Sequence, residues 1–304
     1  MVEVLLRRVL RTIPVLLGIS ALVFVSMRLI PGDPALIYAG DQAPGELVAK
    51  IRVDLGLDQP LVSQYVIFLR RAIEGDLGVS IRTGQPVAAE LMRRYPLTLL
   101  LATAAILFSV AVGLPLGILA AVNRGRWLDK TSVVIALVGV SAPTFLVGIV
   151  LQLALAVKLG WLPVTGSTSW LHLVLPAVSL GAFPVANITR LLRTSLLEVF
   201  GEDFVRTARA KGLPETLVVV RHALKPALIP AVTIIGLQFG AMLGASVFAE
   251  AVFAWPGVGR YLVAAIGYRD YPVVQGAVLL LALTYVVINA AVDVTYGRLD
   301  PRVR

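Results

Sequence analysis

The side chains that most often carry covalent or metal chemistry, cysteine and histidine, are absent or scarce in this chain. It has no cysteine, which excludes a disulfide framework, a thiolate nucleophile and a zinc knuckle. With only two histidines, His172 and His222, no metal site is expected. Gly244-Ala245-Ser246 matches half of a serine-hydrolase elbow, but Val247 stands where that turn needs a second glycine. Neither histidine falls in the core of an apolar run, so the serine has no base in prospect and no catalytic residue is assigned. No Gly-x-x-x-x-Gly-Lys-Ser/Thr run occurs, and the dipeptide Gly-Lys is missing altogether. The chain therefore has no phosphate-cradling loop, and any ATP is hydrolysed elsewhere.

The chemistry left is electrostatic and mechanical, and it concentrates between Glu202 and Pro230, EDFVRTARAKGLPETLVVVRHALKPALIP. Asp203 suits the cap of a helix through Ala208 and Ala210, and Gly212 suits the left-handed residue after its end. Pro214 and Glu215 suit the first turn of a second helix. The predicted unit is a basic helix-turn-helix held between two long apolar segments, so it must project into water. A bland reading makes it a solvated connecting loop whose Arg and Lys only fix its side of the membrane. A reader of duplex DNA would share the shape and charge, but tethering to the bilayer at both ends bars it from ordinary DNA, so no nucleic-acid partner is expected.

The elements around this unit follow from composition. Of 304 residues 58% are hydrophobic and 15% charged, with mean hydropathy +0.87. Soluble domains carry about 25% charged residues, so this is an integral membrane protein. Apolar runs of bilayer length occur at 12–30, 97–122, 132–157, 171–191, 229–248 and 273–292. The first follows Arg7, Arg8 and Arg11 in signal-peptide fashion, but it is as long as a span, lacks a small-x-small cleavage site and is read as retained. Arg28 lies near its outer end, where a long side chain reaches the interface.

Residues 31–96 switch to Gly, Pro and balanced charge. Three short amphipathic helices are expected there, over Leu47, Ile51 and Leu55, over Tyr65, Phe68 and Leu69, and over Val87, Leu91 and Met92, packed on the outer ends of the spans. Pro143 should kink the third span, and Asn187 in the fourth should avoid lipid, because an unpaired polar group in hydrocarbon costs several kcal/mol. Gly236, Gly240 and Gly244 line one face of the fifth as a helix contact, within the chain or with a second membrane subunit. Glu250, near the edge of that span, is either solvated or paired with Arg260, or else faces a substrate route. Fifteen Lys and Arg fall in segments 1–11, 123–130, 191–228 and 297–304, against Lys158, Arg260 and Arg269 in the short loops on the other side. That excess places both termini in the cytoplasm, with 31–96 a translocated domain.

The wording of the sequence resembles one family over about residues 4–300. FVRTARAKG…HAL…ALIP in the basic unit is similar to the cytoplasmic coupling loop of ATP-binding-cassette importer permeases, in the form typical of peptide importers. The general pattern has Glu-Ala-Ala ahead of the glycine, where this chain has Arg206, Thr207 and Ala208, a change the peptide branch shares. PGDP…LGLD.P…QY…GDLG.S…G.PV after the first span and Glu250-x-Val-Phe-x-Trp-Pro-Gly-x-Gly before the last extend the likeness. Asn187-Ile188-Thr189 departs from the small residues common at that point.

The resemblance implies an all-α integral membrane protein with six transmembrane helices. The implied divisions are a cytoplasmic N-terminus and first span over 1–30, an extracytoplasmic helical domain over 31–96, a core over 97–296 with a coupling loop at about 192–228 between helices four and five, and a cytoplasmic tail over 297–304. It implies a non-catalytic permease of the bacterial inner membrane that imports di- or oligopeptides, or alternatively chelated nickel or glutathione. The implied partners are a second homologous permease subunit in a heterodimer, two nucleotide-binding ATPase subunits that hydrolyse ATP with Mg, and an extracytoplasmic substrate-binding protein. Arg206, Thr207, Ala208, Arg209, Ala210, Lys211, Gly212 and Leu213 would couple to the ATPase: Ala208, Ala210 and Gly212 by close approach, the three cations by pairing with acidic groups. Asn187, Gln238 and Glu250 are the candidates for the translocation pathway. A stand-alone secondary transporter is the rival class, but it needs buried charges as ion relays, and the span interiors hold essentially none.

Overall fold

A computed structural model describes the backbone of residues 2–29, 33–40, 43–54 and 56–299, and their side chains apart from those at 2–11, 34, 37, 38, 54, 136–138, 140, 141 and 293–299. Arg7, Arg8, Arg11, Pro31, Leu55 and the tail residues Arg298, Arg302 and Arg304 thus lie outside the described side chains.

Among the described residues the structure is helical, with one isolated antiparallel bridge between Val79 and Pro86 and no other β-pairing. In order the helices are α1 (Val2–Leu29), α2 (Pro34–Ala39), α3 (Gly45–Asp54), α4 (Leu61–Ile73), α5 (Val87–Val122), α6 (Trp127–Ser141), α7 (Thr144–Leu151), α8 (Leu171–Val199), α9 (Asp203–Ala210), α10 (Glu215–Leu217), α11 (Leu224–Val252), α12 (Val258–Gly267) and α13 (Tyr271–Leu299). Two π-helical stretches, Gln152–Lys158 and Val218–Ala223, continue α7 and join α10 to α11. Five helical segments are long and apolar enough to cross a membrane: Thr12–Leu29, Val87–Val122, Leu171–Val199, Glu215–Val252 and Tyr271–Val292.

Two expectations need correction. The third short helix of the outer domain does not stand alone, because α5 runs unbroken from Val87 through Pro96 to Val122. A proline in a helix interior costs about 3 kcal/mol, and fully buried Val87 and Leu91, each worth roughly 1.5–3 kcal/mol, hold the turn before it. At about 1.5 Å per residue this helix of 36 residues is longer than a bilayer core is thick. Its first turns, with Glu90 paired to Arg93 at 2.9 Å and to Arg94, have the charge of a water-facing end. The third apolar run, in turn, is broken rather than kinked. α6 stops at Ser141, and Pro143 caps α7, its carbonyl accepting from Leu146 and Val147 N–H at 2.9 and 3.1 Å. The residue before a proline is disfavoured in helical geometry, and here the chain stops and restarts the helix, whereas α8 and α11 run through Pro176, Pro184 and Pro230.

The chain divides into two compact units, Met1–Thr98 with Pro256–Val286, and Leu99–Trp255 with Val287–Arg304. In the first, α4 packs on the C-terminal half of α1. The Tyr65 and Ser20 hydroxyls lie 2.8 Å apart, Phe24 and Tyr65 meet edge to face at 5.2 Å, and Arg28 donates to Gln64 Oε1 at 2.8 and 3.0 Å. In the same unit Asp270, just before α13, is buried. It accepts from the Ser80 hydroxyl at 2.5 Å and from the Ile81 and Arg82 N–H groups at 3.2 and 3.3 Å.

The second unit is built around α8, which packs on α6, α7 and α11. Small residues let its neighbours approach. A Cβ on Gly181 would sit 2.7 Å from Phe108 and 2.9 Å from the Ala105 carbonyl, and one on Gly139 3.2 Å from the Ala182 carbonyl. Hydroxyls finish the contacts: Ser109 donates to the Gly181 carbonyl at 3.0 Å and Thr189 to the Gly113 carbonyl at 3.2 Å.

Candidate functional site: the elbow between α8 and α11

The basic unit folds as an elbow. α8 ends at Val199, a turn through Phe200–Glu202 leads into α9, and Gly212 at φ +73° reverses the chain. That left-handed position is the one the sequence assigns to a glycine, and nothing lies within 4 Å of where its Cβ would stand. Glu202 rather than Asp203 occupies the cap position. Its carbonyl accepts from Val205 and Arg206 N–H at 3.1 and 3.2 Å, but its side chain makes no capping bond. Asp203 opens the helix, where a carboxylate faces the positive end of the helix dipole. The expected second helix is not a separate piece either: from Glu215 the chain passes through α10 and the Val218–Ala223 stretch straight into α11.

An apolar hinge holds the elbow. Buried Val205, Ala208 and Val218 form a cluster with Val199, Phe200 and Leu213 against them. Ala208, expected to offer a partner close approach, instead faces inward and is 4% exposed. Leu213 is half-buried in the same cluster, while Phe204, Arg206, Thr207, Ala210, Lys211 and Gly212 are exposed. The three cations also divide. Arg209 is engaged within the chain, donating to Glu215 at 2.6 and 3.1 Å and lying over the Phe200 ring at 5.5 Å. This bond holds the Arg209 guanidinium above its ordinary range. Arg206 reaches only the exposed Asp203 carboxylate at 3.5 Å, a contact of little energy at a surface.

The three pathway candidates lie in the second unit but do not converge. Asn187 is half-buried on α8 and Gln238 half-buried on α11. Glu250, twelve residues further along α11, stands ~18 Å from Gln238 at a helical rise of 1.5 Å per residue. Glu250 is completely buried and accepts from the Ser246 hydroxyl at 3.3 Å, which overturns the solvated reading. Ser246 Oγ is fully buried and also lies 2.9 Å from the Leu243 carbonyl, which competes with Glu250 for its one hydroxyl proton. Phe253 and Trp255, of the same signature, are core residues too. The glycine face splits: a Cβ on Gly236 would meet Val292 at 2.5 Å, Gly240 is buried, and Gly244 faces open space. No group of three or more potential ligands for a metal occurs among the described residues.

One feature of this end of the unit has no counterpart in the local sequence pattern. Asp129, 5% exposed at the start of α6, accepts from Arg193 of α8 at 2.5 and 2.9 Å and from the Gly125 N–H at 2.9 Å. Asp129 and Arg193 are 64 positions apart, and nothing in the local pattern pairs them.

Comparison with known proteins identifies the architecture. Residues 113–304 match the family of binding-protein-dependent transport system inner membrane components, and residues 1–102 match the N-terminal component of the same systems. The chain belongs to this family. It is an inner-membrane permease of an ATP-binding-cassette importer, in the peptide/nickel branch. Glutathione transport system permease proteins GsiC of Escherichia coli and of Salmonella choleraesuis are 45% and 44% identical to it over 304 residues, all of this permease and 99% of theirs. Among solved structures, an inward-facing MetNI methionine ABC transporter chain matches 69% of the permease and 96% of its own length, at 25% identity and TM-score 0.58. An amino acid ABC transporter shares the fold at 14% identity and TM-score 0.53, over 70% of the permease and 94% of its own length. A permease of this class works with ATPase subunits and a substrate-binding protein.

Proposed function

We propose that this permease forms half of a translocation pathway for di- and oligopeptides, glutathione among them, and that the α9 elbow is where separate ATPase subunits drive it. The observation that carries the reading is the division of the elbow: an outer face of Phe204, Arg206, Thr207, Ala210 and Lys211 lies open to water above a fully packed hinge. Such a body transmits a push instead of absorbing it, because close-packed interiors do not yield smoothly. Arg206 and Lys211 supply charge for acidic groups on the ATPase, while Arg209 with Glu215 braces the turn. ATP and Mg are bound and consumed by those partners.

On this reading the chain crosses the inner membrane six times with both termini inside. The third crossing is the broken segment of α6 and α7. A second, homologous permease subunit completes the pathway, and the open end of the glycine face at Gly244 offers it a close approach. Asn187, Gln238 and Glu250 remain the pathway candidates, Glu250 as a buried carboxylate rather than a solvated one. The outer domain over 31–96 is the surface offered to the substrate-binding protein. Glutathione enters the reading from the relatives at 44–45% identity.

The test is Gly212→Val in the assembled importer. A β-branched residue at φ +73° costs about 1–2 kcal/mol of backbone strain, and no side chain stands in the way of the new one. The expected outcome is normal insertion with ATP hydrolysis no longer tied to uptake. Unchanged uptake of glutathione and of a dipeptide mixture per ATP consumed would refute the coupling role.

A further inference from the structure

We propose that Asp129 and Arg193 are positioning residues that clamp the inner loop before α6 to the end of α8, so that elbow motion carries α6 with it. The inference rests on the reading of the elbow as the point of drive. It starts from an unbroken run of packing. The hinge cluster of Val205, Ala208 and Val218 shares Val199 and Phe200 with a second cluster, in which Leu192 and Leu196 of α8 pack on Ala121 of α5 and on Ala223 and Ala227 at the start of α11. Arg193 is the next residue along α8, and its guanidinium leaves that cluster to grip Asp129 through two parallel bonds.

Geometry makes this a clamp rather than a surface ion pair. The Asp129 side chain is 6% exposed and that of Arg193 24%, so water competes poorly for either group. The forked guanidinium fixes the carboxylate in orientation as well as distance. The Gly125 N–H holds the second carboxylate oxygen from the loop side, so the loop, α6 and α8 meet at one group. Apolar contact between α6 and α8 permits sliding, whereas a buried bidentate pair has one register. Coupling needs such an element, because displacement at the elbow otherwise dissipates among packed helices.

The experiment uses the complete importer in nanodiscs with spin labels on cysteines at Thr131 and Thr194, both exposed; the permease has no cysteine of its own. In the parent the distance between the labels should be the same with and without ATP. In the neutral double variant Asp129→Asn with Arg193→Met, which leaves no uncompensated buried charge, it should shift or broaden on ATP binding. Glutathione uptake per ATP in liposomes should fall roughly 2- to 30-fold, the range for residues that modulate coupling between sites. Arg193→Lys, which keeps the charge but loses the fork, should fall between. A double variant whose distance stays fixed overturns the proposal, as does a parent whose distance already changes with ATP, or a double variant that no longer assembles, since the pair would then only hold the fold. A label at Thr207 reads the elbow separately: if its mobility is unaffected by the ATPase subunits, the elbow reading fails, whatever the clamp does.

Discussion

Single residues decide what each end of the permease can tolerate. Just before α13, Asp270 is a buried carboxylate satisfied by the Ser80 hydroxyl and by two consecutive backbone N–H groups, with Arg82 laid over Tyr268 at 3.8 Å beside it. The energetic weight lies in what its removal strands. Asp270→Ala leaves three donors without their acceptor, each at about 1–3 kcal/mol, so the purified chain should melt well below the parent in a thermal-shift assay. Asp270→Asn keeps one acceptor oxygen and should recover part of the loss. A melt of Asp270→Ala within a degree of the parent would show that water satisfies the loop. In the elbow the Arg209–Glu215 pair is about half exposed, and it acts by fixing the turn more than by energy, since such pairs are worth ~1 kcal/mol or less.

At the scale of elements, helix contacts in the second unit are graded by how closely backbones approach. Gly181 faces Phe108 and the Ala105 carbonyl inside 3 Å, Gly113 faces Ile188 and the Val185 carbonyl at 3.1–3.2 Å, and Gly244 faces nothing within 4 Å. Alanine at the three should therefore destabilise the isolated chain in that order, by about 1–3 kcal/mol at Gly181 and negligibly at Gly244. Equal losses at all three, read from thermal unfolding in detergent, would contradict the packing. A loss at Gly244 that appears only in the assembled complex would place the second permease subunit on that face. These contacts also mark what the sequence made legible. The long apolar runs and the left-handed turn at Gly212 follow from hydropathy and local backbone chemistry, but the faces of 31–96 only in part, since Val87 and Leu91 are buried while Leu47 and Met92, expected to pack with them, are exposed. The break at Pro143 and the run of α5 through Pro96 do not, because both prolines carry the same local signal and only the packing around each chooses between stop and continue. Gly236, Gly240 and Gly244 gave a correct small-residue face but not its division into a filled and an open end. In the same way, the cations at 206, 209 and 211 read alike until Glu215 is seen to take one of them.

At the scale of the molecule, the distribution of charge and the lengths of the helices make one joint prediction about how the chain threads the bilayer. Five segments qualify as spans on length and apolarity. An odd number would put the termini on opposite sides, but the excess of Lys and Arg at 1–11, 123–130, 191–228 and 297–304 requires them on the same side. The conflict is resolved if α6 and α7 cross together as one broken span. Apart from the break, Trp127–Lys158 is helical, about 48 Å at 1.5 Å per residue, and easily spans a ~30 Å core. A break at that depth is tolerated where protein covers it, and α8 packs along both α6 and α7. Because the chain has no cysteine, sidedness can be read one residue at a time in intact cells and inverted vesicles with a membrane-impermeant maleimide. Cysteine at Gln59 and at Trp161 should label from outside, and cysteine at Arg126 and at Thr207 only from inside. The pair Arg126 and Trp161 decides the matter, since they flank the broken segment. If both label from the same side, α6 and α7 form a re-entrant hairpin, the count falls to five and the charge excess has been misread; if they label from opposite sides, the sixth crossing is established together with the inner position of the elbow.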